Sequence, residues 1–385
     1  MASVVILGPA HPLRGGLATY DQRLCKQFLD EGHNCCIYSF SLQYPSFLFP
    51  GTTQYSSDPL PENIEIHTVV NSVNPFNWLK VGRALKKKRP DFIVVRYWLP
   101  VMGPALGSIL RLAKKNKHTK VIAITDNILP HEKRPGDALF TRYFLNSCDG
   151  FITMSEKVLT DLRSIEKTKP AQFVSHPLYD NFGEIISKVE AREKLGLAVN
   201  DRIVLFFGFI RKYKGLDILL DAMKILQADV KKQHDQPVRL LVAGEFYEDD
   251  KPYLQQVKDN GLNDVVILRT DFVADSQVKF YLCAADVVIQ PYRSATQSGV
   301  TPLAYHFERP MIVTNVGGLT AMVPNGKVGL ITEPDPTSIA TAIQEFYKIG
   351  NEHFVPGIQE EKRKYTWNNI TGAILTIYQK VADAR

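Results

Sequence analysis

The sequence predicts two open α/β domains, each built on a parallel sheet, and three observations carry that prediction. Its strands are near-continuous apolar runs, the pattern of strands covered on both faces. Helical patterns fill most of the gaps between them. A cluster of turn formers at His176-Pro177-Leu178-Tyr179-Asp180-Asn181 divides the chain into two similar halves.

In the first half the strands are SVVILG, NCCIYSF, IEIHTVV, DFIVVRYW, KVIAITD, GFITMS and AQFVSHP. The helices are GLATYDQRLCKQFLDEG, stopped at Gly32, then PFNWLKVGRALKKKRP, VMGPALGSILRLAKKNK, DALFTRYFLNS and EKVLTDLRSIEK. The second half repeats the scheme with IVLFFGFI, VRLLVAGE, VVILRT, DVVIQPY, MIVTNV and GLITE. Its last stretch, 366–385, reads as a helix with no strand after it. The domains are placed at 1–178, joined by helix 366–385, and at 185–365.

Composition excludes several classes. The hydrophobic fraction of 45% is that of a folded chain. No apolar run is long enough to span a bilayer. The start, MASVVILG, lacks a basic region before its apolar residues and reads as a strand, not a signal peptide. The 5 cysteines include no C-x-x-C and no zinc-site spacing, so a reducing cytoplasm is expected. Residues 1–178 hold 22 Lys+Arg and 14 Asp+Glu, a net of +8; the remaining 24 and 26 give −2. This asymmetry points the first half toward an anionic partner.

Open α/β sheets bind ligands beyond the carboxyl ends of their strands, so four loops after strands matter most. Gly15-Gly16 lets backbone approach a ligand ahead of a helix, or serves as a plain turn. Thr125 to Arg134 gathers Asp126, His131 and Glu132, a set suited to proton transfer or polyol binding, or to an ordinary solvated loop. Arg211 and Lys214, in GFIRKYKG, suit a phosphate group, or cap a helix. Ser298, Gly299, Val300 and Thr301 open a helix with no acid in its first turn. Ser298 is the expected N-cap, and the backbone N–H groups of the next three residues are expected to be free for an anion.

Together these loops resemble the family-four retaining glycosyltransferases, of GT-B architecture with two facing Rossmann-like domains. The resemblance covers nearly the whole chain and rests on motif order. It is strongest at Gly208 to Gly215, at Ala243-Gly244-Glu245 and from Ala285 to Gly318. It implies a nucleotide-sugar donor whose diphosphate meets Arg211, Lys214, Gly299, Val300 and Thr301, with Glu245 and Ser298 in the same site. Gly15 and Gly16 then face the donor from the first domain. The family's two glutamates, seven residues apart between them, fall here on Gln297, beside the sugar, and Tyr305, against the nucleoside. Asp126 takes the place of a histidine, and with Gln297 is the catalytic candidate; His131 and Glu132 are acceptor-side candidates.

The implied activity is metal-independent transfer of a sugar to an acceptor hydroxyl with retention, without a cofactor, in envelope polysaccharide or glycolipid synthesis. A sugar or lipid-linked acceptor and an anionic membrane surface are the expected partners, and nucleic acid is not. Lys86 to Arg89, Lys114, Lys115, Lys117 and the apolar stretch Tyr44 to Pro50 permit docking at the inner face of the membrane. The alternatives are a non-catalytic nucleotide-sugar binding protein and a GT-B epimerase or phosphorylase.

Overall fold

The computed structural model describes residues 1–45, 53–129, 134–233, 236–295 and 298–383. The chain forms two compact units, Met1–Pro177 with Thr366–Arg385, and Leu178–Tyr365.

The first unit runs β1 (Ser3–Leu7), α1 (Gly16–Asp30), β2 (Asn34–Leu42), β3 (Glu65–Asn71), α2 (Pro75–Lys88), β4 (Phe92–Tyr97), α3 (Gly103–Ala113), β5 (Lys120–Thr125), α4 (Asp137–Leu145), β6 (Gly150–Thr153), α5 (Glu156–Ile165) and β7 (Ala171–Phe173). Its seven strands are all parallel, in the order β3-β2-β1-β4-β5-β6-β7. The order reverses between β1 and β4, the kind of switch point at which open α/β sheets bind ligands. Of the central strands, β1, β4, β5 and β6 are buried almost throughout, and β2 is buried at Cys35, Cys36, Ile37, Ser39 and Phe40. The edge strand β3 corrects the reading of IEIHTVV as a buried run: Val70 alone of its residues is buried, because an edge has a neighbour on one side only.

The second unit runs α6 (Lys188–Leu195), β8 (Arg202–Phe207), α7 (Leu216–Gln233), β9 (Val238–Ala243), α8 (Lys251–Asp259), β10 (Val266–Arg269), α9 (Val278–Ala284), β11 (Val287–Gln290), α10 (Val300–His306), β12 (Met311–Thr314), β13 (Gly329–Thr332), α11 (Pro336–Ile349) and α12 (Val355–Glu361). Its six parallel strands follow the order β10-β9-β8-β11-β12-β13, reversing between β8 and β11.

The last helix, α13 (Trp367–Asp383), packs on β5 and β6 of the first unit. A Cβ at Gly150 of β6 would lie 2.3 Å from the Ile377 side chain, so the strand lacks a side chain where the helix comes down. Thr371 donates to Glu31 at 2.7 Å and Gln27 to Asn368 at 3.2 Å, tying the helix to α1.

Candidate active site

At the switch point of the second unit, the loop after β8 turns through Gly208, whose φ of 94° favours glycine. The loop after β9 turns through Gly244. A Cβ there would come within 2.3 Å of the Gly208 carbonyl oxygen, so the two loops touch backbone to backbone. Gly215 approaches the Pro291 carbonyl, beyond β11, just as closely. These contacts draw the loops after β8, β9 and β11 into one floor.

Lys214 is on that floor and is buried. A Cβ at Gly208 would lie 3.3 Å from its Nζ and 3.6 Å from Val300 Cγ2, which puts the ammonium beside the first turn of α10. Its Nζ also lies 5.7 Å from the centre of the Tyr292 ring. Burial, helped by the charge of Arg211, pushes its pKa down to about 7. Among the described residues no carboxylate forms an ion pair with it. Arg211 is exposed, with its guanidinium 5.1 Å from the centre of the Tyr247 ring. Glu245 is buried beside them, and its carbonyl accepts from the Ile210 N–H at 2.8 Å.

The start of α10 differs from expectation. Gly299, not Ser298, is the N-cap. The Ser298 hydroxyl instead accepts from the Val300 N–H at 3.1 Å, so that amide is taken. Gly299 is exposed and leaves open space: the nearest atom to a Cβ there is Tyr179 Cε2 at 3.8 Å. Thr301 is held inward by Gln290, whose Nε2 donates to its hydroxyl at 3.1 Å. Tyr305 is also corrected. It is fully buried against Tyr365, and its hydroxyl donates to the Met322 carbonyl at 2.6 Å, so its ring has no face to offer a nucleoside.

The first unit carries a second constellation. Asp126 follows β5 and is buried. Arg96 on β4 grips it with both arms: Nε donates to Oδ2 and Nη2 to Oδ1, each at 2.6 Å. Both carboxylate oxygens are thereby engaged, which suits Asp126 to positioning rather than to accepting a proton. The Tyr20 ring lies 4.0 Å from the guanidinium carbon, and Asp21 Oδ1 lies 3.8 Å from Nη1. Burial pushes the Asp21 pKa up to about 8, against the pull of Arg96. One cation and two acids are then close to neutral overall near pH 7, with the proton on the more distant acid.

Arg96 was missed in the sequence, where it reads as one polar residue inside DFIVVRYW. The available signal was that a buried arginine in a parallel strand needs an acid nearby. Gly15, with φ of 98°, is the N-cap of α1, and Gly16 begins the helix. Gly8, right after β1, lies against Asp21 and Arg96: a Cβ there would meet Asp21 Oδ2 at 2.1 Å and Arg96 Cβ at 3.2 Å. Gln297, His131 and Glu132 lie outside the described residues.

Comparison with known proteins gives this architecture its class. The Anabaena protein HepE, solved in complex with UDP-glucose, superposes with a TM-score of 0.72 at 17% identity, covering 100% of this chain and 99% of that one. The fold is GT-B. Residues 201–348 match the model of the family described as glycosyl transferases group 1. The D-inositol 3-phosphate glycosyltransferase of Corynebacterium urealyticum is 26% identical over 201 residues, which is 50% of this chain and 46% of that protein. The match thus spans about half the length of that curated relative. The O-antigen chain mannosyltransferase C of Escherichia coli is 23% identical over 349 residues, 87% of each chain.

Proposed function

We propose that this chain is a retaining glycosyltransferase that moves a sugar from a nucleotide-sugar donor to an acceptor hydroxyl. The observation that carries the reading is Lys214. A buried ammonium beside a second cation, with no carboxylate partner among the described residues, is costly unless an anion comes to it. It sits at the switch point of the unit that contains the family match, beside an open glycine at the start of α10.

A diphosphate answers that need. The bond between the anomeric carbon and the phosphate oxygen breaks as the acceptor oxygen bonds to that carbon; the electron pair leaves with the diphosphate, which takes up the acceptor hydroxyl proton. Lys214 and Arg211 stabilise the charge that develops there. Lys214 is fixed before the substrate arrives, so the step requires little reorganisation. No further metal charge is required in this scheme, and no cofactor takes part. Retention at the anomeric carbon rests on the family resemblance. Asp126, fixed by Arg96, positions the reacting sugar or the acceptor.

Envelope polysaccharide or glycolipid synthesis, at the cytoplasmic face of the membrane, is the proposed setting. The mannosyltransferase relative supports it, as do 5 cysteines that are all free and buried. None of the described helices is long and apolar enough to cross a membrane.

A screen of UDP-, GDP- and ADP-sugars, read by nucleotide release with a set of acceptors, tests the activity. Calorimetry with the free diphosphates tests the grip. Tyr305 favours a second reading, since the family's ribose-holding position is sealed inside the core here. In that reading the chain binds nucleotide-sugars without turning them over, and tight binding without release would select it.

A further inference from the structure

We infer that the outer face of α2 is a docking surface for an anionic phospholipid bilayer. Residues 71–90 contain six Lys and Arg and no Asp or Glu. Successive helical residues are ~100° apart, so Phe76, Leu79, Lys80, Arg83 and Lys87 fall within an arc of ~100°. That arc lies opposite Leu85, which is buried. All five are exposed, Phe76 by 83% and Leu79 by 43%; Val73, just before the helix, is 54% exposed.

Lys86, Lys87 and Lys88 in the last turn have an ordinary explanation, since cations there complement the helix dipole. That explanation does not reach Lys80, Arg83 or the exposed phenylalanine. A second basic group adjoins the helix. Asn116 donates to the Lys86 carbonyl at 3.4 Å, which brings the exposed Lys115 and Lys117 beside the end of α2. The helix therefore presents apolar side chains along its first two turns and cations from its second turn onward. This suits a helix lying in a headgroup layer, with Phe76 and Leu79 inserted and the cations at the phosphates. Nucleic acid would satisfy the cations but would leave Phe76 and Leu79 in water.

The inference stands apart from the sugar-transfer reading, because it uses only the surface of the first unit. The test is co-sedimentation of the full chain with phosphatidylcholine vesicles, with and without added phosphatidylglycerol. The protein should bind the anionic vesicles at low salt and dissociate as salt rises. The triple variant K80E/R83E/K87E should lower partitioning by at least about a hundredfold, since each cation near the surface contributes about fivefold. F76S/L79S should still bind at low salt but should release at a lower salt concentration than the parent. K258E, at an exposed position of α8 in the second unit, is the control and should bind as the parent does. Thermal melting checks that each variant folds, and nucleotide binding in the same samples reports on the second unit independently. Absence of binding at low salt, equal binding by the triple variant, or tighter binding to duplex DNA than to anionic vesicles would each overturn the inference.

Discussion

The two switch points treat buried charge in opposite ways. In the first unit, Arg96 arrives with its partners: Asp126 grips it from β5 and Asp21 stands on α1. In the second unit, Lys214 is buried with a cationic neighbour and, among the described residues, no acid paired to it. Two parallel sheets of related topology thus produce one internally balanced site and one that awaits a charge. A balanced site holds geometry. An unbalanced one is suited to binding, because a ligand can supply the counter-charge that folding left out.

The largest effect should come from breaking the balanced site. Arg96→Met strands Asp126 without its cation, and loss of one partner from a buried pair costs about 3–5 kcal/mol. Chemical denaturation would read this, and R96M/D126N should cost less than the sum of the single variants. Additive losses would mean that the two residues act separately.

Asp21→Asn should act in the other direction and by less. The folded carboxyl has its pKa raised from the usual range near 4 to about 8. The folded state therefore holds the proton where the unfolded state has lost it, and parental stability falls as pH rises from 4 to 8. An asparagine removes that fall, so the variant should gain on the parent across this window and run parallel to it above pH 8. Parallel melting curves at every pH from 4 to 8 would place the Asp21 proton elsewhere.

In the unbalanced site, Lys214→Met and Arg211→Ala should each weaken nucleoside diphosphate binding by about tenfold or more, as a lost charge-assisted hydrogen bond of 1.5–3 kcal/mol requires. The two variants should then part company. Lys214 has its pKa lowered from 10.5 to about 7, so its charged form is a burden on the folded state without ligand. That burden is full below pH 7 and lifts as pH rises toward 10.5. Lys214→Met should therefore melt higher than the parent at neutral pH, while Arg211→Ala should not. The smallest effect is on the parent itself. Diphosphate affinity should fall by at most about tenfold per pH unit above 7, as the free protein loses the Lys214 proton. A flat profile would remove Lys214 from the grip.

The comparison also shows what one sequence can disclose. The thirteen strands among the described residues were all legible, most clearly in apolar runs such as KVIAIT and RIVLFF in the middle of covered sheets. Asp126 was legible as an acid at the end of a strand, but its partner was not. Arg96 is 30 positions away, and only the register of β4 on β5, with Arg96 opposite Ile124, brings the pair together. Lys214 was legible as a cation, whereas its burial depends on Gly208, Gly215 and Pro291, which meet only in three dimensions. Tyr305 misled because its position in the motif says nothing about which face of α10 it occupies; Tyr365, sixty residues later, settles that. Ser298 was recognised as a capping residue, and the helix begins one residue further on than expected.

The docking of α13 on β6 bears on the order in which this molecule is made. Gly150 waits for Ile377, and between the two in the chain comes the whole of residues 178–365. At a synthesis rate of ~5–20 residues per second, β5 and β6 stand with that face uncovered for about 10–40 s while the second unit emerges. The first unit, begun first, is therefore completed last. A circular permutant that supplies α13 ahead of β1 would close this face before the second unit is made, and should need less help from chaperones to reach the same fold.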